Sequence, residues 1–252
     1  MLDITKGAPK ELIRVGGVPA LGRVVSECAA SGVTDLLVVV APGKNAIADY
    51  LRPLAGTNGM PARIEFAVQH EPRGLADAIR LGREFADGEP LGVALPDNLF
   101  LADAPALRQV FDAHEQTGLN VVGVVEILAA DASRRGPTAI YPGRLDADLY
   151  DIERIPEKRD RNERFDTGGA ASAFTGIGRF VFTSDAFDAI DRVEHTLAPG
   201  AELDDIPVMQ YLLADQRLIG RRIRGRYLDV GLPDGHREAD EALTRGSSIK
   251  SP

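Results

Sequence analysis

The chain has 252 residues, 44% of them hydrophobic, a formal net charge of −9 and one cysteine. That length and apolar content suit one sizeable α/β domain, taken here as residues 1–245 with a flexible tail over 246–252, and no Pro/Ser-rich linker divides it. The acidic balance argues against a nucleic-acid partner, since counterion release needs clustered Lys and Arg; no apolar run reaches the roughly 18 residues that span a bilayer, and nothing resembles a signal peptide. A cytoplasmic protein without a membrane partner is expected, with Cys28 a small buried side chain.

In chain order, Met1 to Leu12 reads as loop with no strand ahead of it. A helix near 20–31 precedes Leu36-Leu37-Val38-Val39-Val40, a β-branched run between Asp35 and Pro42-Gly43 that suits a strand buried on both faces. Ala46 to Leu54 is helical, Ile64 to Val68 a strand, and Leu75 to Phe85 a helix whose apolar positions roughly follow the helical period. Leu91 to Leu95 is a strand, Ala104 to His114 a helix, and Asn120 to Val125 a strand. This alternation implies a parallel sheet with right-handed crossovers. From about Thr138 the rhythm changes to strand-like Thr138–Tyr141, Tyr150–Ile155 and Phe174–Phe182, then helices near 184–193, 206–215 and 234–244.

In open parallel sheets ligands bind beyond the carboxyl ends of the strands. Leu95-Pro96-Asp97-Asn98 places a carboxylate at such an edge, and Tyr227-Leu228-Asp229-Val230-Gly231 supplies another, followed by a glycine that permits close backbone approach. Two such aspartates could share a hard cation such as Mg²⁺, which takes one or two carboxylates and fills its shell with phosphate oxygens and water; alternatively both cap turns. Gln69 to Leu75 leads into a helix: Gln69 has a donor and an acceptor for a base edge and Gly74 admits a ring, although an ordinary Pro-Gly loop reads the same way. Glu157-Lys158 lies in a charged run that reads equally as a solvated hairpin end. The histidines His70, His114, His195 and His236 lack zinc-ligand spacing, and Gly168-Gly169 is not a P-loop.

Pro9-Lys10-Glu11-Leu12, Gly43-Lys44-Asn45-Ala46-Ile47 with Asp49-Tyr50, Gln69-x-Glu71-Pro72-x-Gly74-Leu75, Leu95-Pro96-Asp97, Glu157-Lys158, Thr175-Gly176 and Asp229-Val230-Gly231 fall in register along the chain. In that order and spacing the sequence, from Met1 to about Leu243, resembles the sugar-nucleotide pyrophosphorylases, and among them the bacterial UTP:glucose-1-phosphate uridylyltransferases. The resemblance implies a Rossmann-like nucleotide-diphospho-sugar transferase fold, with a mostly parallel mixed sheet flanked by helices. It implies transfer of a uridylyl group from UTP to glucose 1-phosphate, dependent on Mg²⁺, by a homo-oligomer whose partners are a nucleoside triphosphate and a sugar 1-phosphate. Asp97 and Asp229 would hold the metal, Lys10 would face the nucleotide phosphates, and Gln69 and Gly74 would read the uracil. Lys158 would grip the sugar phosphate, Glu157 would accept from the sugar hydroxyls, Gly136 matches a backbone contact to the sugar, and Thr175 lies on the strand lining the sugar pocket.

The chain departs from the family pattern in several places. Met1 aligns just after the family's first strand and G-x-G-T-R loop, so a natural start about 10–20 residues upstream is expected. Ala76-Asp77 stands where the family has Gly-His, Arg159 where it has Pro, and Gly200 to Pro207 replaces G-D-E-I-Q-L-T-D. Two other readings stay open: a catalytically silent sugar-nucleotide-binding paralogue, and a nucleotidyltransferase using dTTP or CTP with another sugar 1-phosphate.

Overall fold

The computed structural model describes residues 9–131, 139–156, 169–231 and 233–247. After one 3-10 turn at Lys10–Leu12, β1 (Arg14–Val15) and β2 (Val18–Pro19) form a hairpin around Gly16-Gly17, whose φ values of 55° and 77° match the twist that a two-residue hairpin turn demands. Then come α1 (Ala20–Ala30), β3 (Asp35–Val40), α2 (Asn45–Leu51) and β4 (Arg63–Val68). Next are α3 (Leu75–Arg80), α4 (Arg83–Ala86), β5 (Leu91–Ala94), β6 (Asn98–Leu101) and α5 (Ala106–Thr117). Strands β7 (Asn120–Leu128), β8 (Ala139–Arg144), β9 (Leu149–Arg154) and β10 (Ser172–Phe182) lead to α6 (Ser184–Thr196) and α7 (Asp205–Ala214). The chain ends with β11 (Leu218–Arg222), β12 (Arg226–Asp229) and α8 (Pro233–Ser247).

These elements fall into two compact units. The first holds the residues up to His70, Ala94–Arg108, and those from Arg224 onward. Within it β3 and β4 pair in parallel, from Asp35↔Arg63 to Val40↔Val68, and β6 pairs antiparallel with β12. Leu21 and Val25 of α1 and Ile47 and Leu51 of α2 cover one face of that pair, against Leu36, Val38, Val40, Ile64 and Phe66. This is the period-2 side of β3 and β4 meeting the helical stripes.

The second unit holds Glu71–Val93 and Gln109–Ile223. Its sheet runs in the order β5-β10-β7-β11-β9-β8, with β7 parallel to β11 and antiparallel to β10. Val122, Val124, Phe180 and Phe182 of the sheet pack with Phe187 and Ile190 of α6 and Ile206, Met209 and Leu212 of α7.

The α/β class and the mixed, helix-flanked sheet agree with the sequence reading, and Cys28 is buried and free as expected. Four local expectations change. The helix foreseen over Leu75 to Phe85 is two: the Gly82 N–H turns back to the Ile79 carbonyl at 2.8 Å, and Gly82 makes room for Leu91, whose side chain a Cβ would meet at 2.8 Å. Asn98–Leu101 is strand where none was foreseen, because its partner β12 lies far along the chain. Strand β3 is half-buried along its apolar run; among the described residues it pairs with β4 alone. The β-rich half brings more antiparallel pairing than simple alternation implies: β10 runs back along β7 and also pairs with β8. Met1–Ala8, Gly136, Glu157, Lys158 and residues 248–252 lie outside the described residues.

Candidate active site

In the first unit, the β6–β12 ladder joins the two aspartates. Asp229 stands opposite Asn98, so Asp97, one residue before Asn98, lies beside the end of β12, and the Val230 N–H donates to the Asp97 carbonyl at 2.9 Å. The Asn98 side chain, 8% exposed, donates from Nδ2 to Asp97 Oδ1 at 3.1 Å and accepts from the Tyr227 hydroxyl. That buried relay holds Asp97 on a short leash while leaving its carboxylate a third exposed, with 35% of the side chain open to solvent.

Gly231 completes the arrangement. A Cβ there would lie 3.1 Å from Asp229 Oδ1 and 3.3 Å from Asp97 Oδ2, so the two carboxylates converge on a spot that only a missing side chain keeps open. Asp229 Oδ1 also accepts the Gly231 N–H at 3.0 Å, which is the turn-capping role weighed for a lone Asp. The capping bond and the convergence coexist, since a carboxylate offers several acceptor directions. Lys10, half-exposed in the 3-10 turn, places Nζ 3.6 Å from Asp97 Oδ2. The donor set is therefore two hard carboxylates with a neighbouring ammonium. It fits a small divalent cation that shares its shell with phosphate oxygens. Among the described residues no group of three or more His, Cys, Asp or Glu side chains gathers into a metal-sized cluster.

The turn carrying Lys10 is held from the other side by an ion pair that sequence reasoning did not foresee. Lys44 Nζ donates to Glu11 Oε1 at 2.6 Å, while Glu11 Oε2 is buried without a hydrogen-bond partner. Both residues were part of the family motifs, but nothing in their spacing shows that one neutralises the other. Gln69 follows β4, half-buried, its N–H donating to the Val40 carbonyl at 2.9 Å.

In the second unit, Gly74 opens α3 at φ 114°, a region that disfavours side chains, and a Cβ would strike the Leu203 carbonyl. The Leu203 carbonyl caps the helix by accepting the N–H groups of Ala76 at 3.1 Å and Asp77 at 3.3 Å. Thr175 is buried in β10, between Val125 of β7 and Ala139 of β8. Lys10, Asp97 and Asp229 are thus brought together in one unit, Gln69 belongs to that unit as well, and Gly74 and Thr175 belong to the other.

The chain matches the model of the nucleotidyl transferase family over residues 1–246. A relative from Bacillus subtilis (strain 168), provisionally named a UTP–glucose-1-phosphate uridylyltransferase, is 33% identical over 248 residues, covering 92% of this chain and 87% of the relative. A UTP–glucose-1-phosphate uridylyltransferase of Staphylococcus epidermidis is 27% identical over 248 residues, covering 91% of this chain and 83% of that protein. In three dimensions, a crystal structure of a UDP-glucose pyrophosphorylase in complex with UDP-glucose matches with a TM-score of 0.82 at 23% identity, over 98% of this chain and 94% of the other, a likeness of fold. With the motifs in register and the family model spanning nearly every residue, the chain belongs to the nucleotidyl transferase family.

Proposed function

We propose that this protein transfers a uridylyl group from UTP to glucose 1-phosphate, giving UDP-glucose and pyrophosphate. The names of its relatives support the substrate pair. The observation that carries the reading is the convergence of Asp97 and Asp229 on Gly231 with Lys10 alongside. A phosphate oxygen of the sugar phosphate attacks the α-phosphorus of UTP; the new P–O bond forms as the bond to the β-phosphate bridge breaks, and pyrophosphate leaves with the electron pair. The attacking phosphate is already ionised near neutral pH, so no general base is required, and catalysis is positioning plus charge neutralisation.

Asp97 and Asp229 would hold Mg²⁺, which when bound neutralises phosphate charge as it develops. Lys10 would balance charge on the nucleotide phosphates and help to orient Asp97. Gln69 and Gly74 would meet the uracil, Lys158 the sugar phosphate, and Glu157, Gly136 and Thr175 the sugar. We read the protein as a cytoplasmic homo-oligomer, in keeping with the family resemblance; no helix among the described residues is long and apolar enough to cross a membrane.

The test is pyrophosphate release across the four common nucleoside triphosphates and several sugar 1-phosphates, with Asp97→Ala alongside. UTP with glucose 1-phosphate should be the fastest pair, and Asp97→Ala should lose on the order of 100-fold or more in turnover. Full activity in Asp97→Ala would overturn the metal assignment, and a faster pair with another nucleotide would overturn the choice of UTP.

A further inference from the structure

Asp77, one of the departures from the family pattern, belongs to an ionic lattice around the loop that leads into α3. Within the second unit, Glu194 near the end of α6 accepts from Arg73 on Oε1 and from Arg80 on Oε2, the latter at 2.5 Å. Arg80 also donates to Asp77 Oδ1 at 2.6 Å, and Arg73 lies 3.9 Å from the same oxygen. Two guanidinium groups and two carboxylates close a neutral ring, and all four side chains are at least partly sheltered from solvent. The hydrogen bond from Arg73 holds the Glu194 carboxyl below the ordinary carboxylate range, against a burial effect in the other direction, and Arg80 adds to the lowering.

The backbone of the same loop is stitched to Leu203. The Leu203 N–H donates to the Arg73 carbonyl, and the Leu203 carbonyl takes the N–H groups of Ala76 and Asp77. Gly74 sits between these bonds with its bare face against Leu203, so its position is set from one side by backbone and from the other by Arg73. On the reading that Gly74 meets the nucleotide base, we propose that Glu194 and Asp77 are positioning residues for nucleotide binding: through Arg73 and Arg80 they fix the path of the Arg73–Leu75 backbone. Neither touches substrate. Removing the Glu194 charge leaves two guanidinium groups in the ring with Asp77 as its one remaining carboxylate, and the loop relaxes away from the geometry that binds the base. Such a change weakens nucleotide binding and spares the chemical step.

The test compares wild type with Glu194→Gln and Arg73→Gln, by steady-state kinetics with each nucleoside triphosphate and by hydrogen exchange at the Arg73 to Asp77 amides without substrate. Arg73 is the most exposed member of the ring, at 40%, so its variant keeps the question answerable if Glu194→Gln does not fold. Both variants should raise KM for the nucleotide on the order of tenfold, leave kcat within about twofold, and speed exchange at those amides. An unchanged nucleotide KM, or a fall in kcat alone, overturns the positioning role. If wild type prefers another nucleotide and its KM rises in both variants, the lattice keeps its role and the choice of UTP falls.

Discussion

At Gly231 a methyl group in place of a hydrogen would crowd the two carboxylates proposed to share a metal. A Cβ at 3.1 Å from Asp229 Oδ1 and 3.3 Å from Asp97 Oδ2 is tighter than ordinary van der Waals contact, so the carboxylates must give by a few tenths of an ångström at the spot where they converge. The backbone is not the obstacle, because Gly231 does not adopt a positive φ. Gly231→Ala should therefore lower kcat/KM by roughly 10- to 100-fold, the size expected for misplacing a positioned group, while moving the melting temperature by less than about 3 °C. Steady-state rates at saturating Mg²⁺ beside a thermal melt check this; wild-type kcat/KM in the variant would show that the carboxylates do not act together there. At this scale the sequence was informative about chemistry and silent about partners. Asp97 and Asp229 stood out as carboxylates after apolar runs, and Gly231 as a glycine allowing close approach. Asn98 and Tyr227 did not stand out, because their bond exists only once β6 and β12 are paired.

Elements were legible wherever local periodicity or turn chemistry decided them. The helical stripes of α1 and α6 and the β-branched run of β3 could be read directly, whereas β6 is four residues long and needs a distant partner to be a strand at all. The Gly16-Gly17 hairpin is a case where turn chemistry was present and went unread, since two residues of strand on each side carry no periodicity. Asn120 shows what joins elements that the sequence presents separately. Fully buried at the start of β7, it accepts from the Thr183 N–H at 2.9 Å with Oδ1, and its Nδ2 donates to Asp185 Oδ1 at 3.0 Å and to the Arg217 carbonyl at 2.9 Å. One side chain thereby ties β7 to the N-terminus of α6 and to the residue before β11. Burial pushes the Asp185 carboxyl up, but bonds from Thr183, Arg217 and Asn120 outweigh it and leave the group below its ordinary range. Asn120→Ala takes away the acceptor of the Thr183 N–H together with the two bonds from Nδ2, and should destabilise the protein by about 2–4 kcal/mol. Urea unfolding followed by circular dichroism checks the figure; a loss below about 1 kcal/mol would mean that water takes over the role of the amide.

For the molecule as a whole, charge sets a problem that fold alone does not solve. A chain of net charge −9 is proposed to bring together two anionic substrates, so the far field repels what the local cations must hold. Lys10 acts at contact distance, beside Asp97, whereas the acidic surplus acts over the length that salt controls. That length shrinks from about 30 Å at 0.01 M ionic strength to about 8 Å at 0.15 M, which removes the repulsion between protein and incoming nucleotide while contacts of a few ångströms survive. The sign of the salt effect is therefore opposite to that of a basic enzyme acting on an anion: kcat/KM for the nucleotide should rise between those two ionic strengths at fixed free Mg²⁺, and level off or fall above them. Initial rates over a potassium chloride series read this directly. A steady decline from the lowest salt upward would show that the cations near Asp97 dominate the field along the whole approach, and that the net charge of the chain has no part in substrate capture.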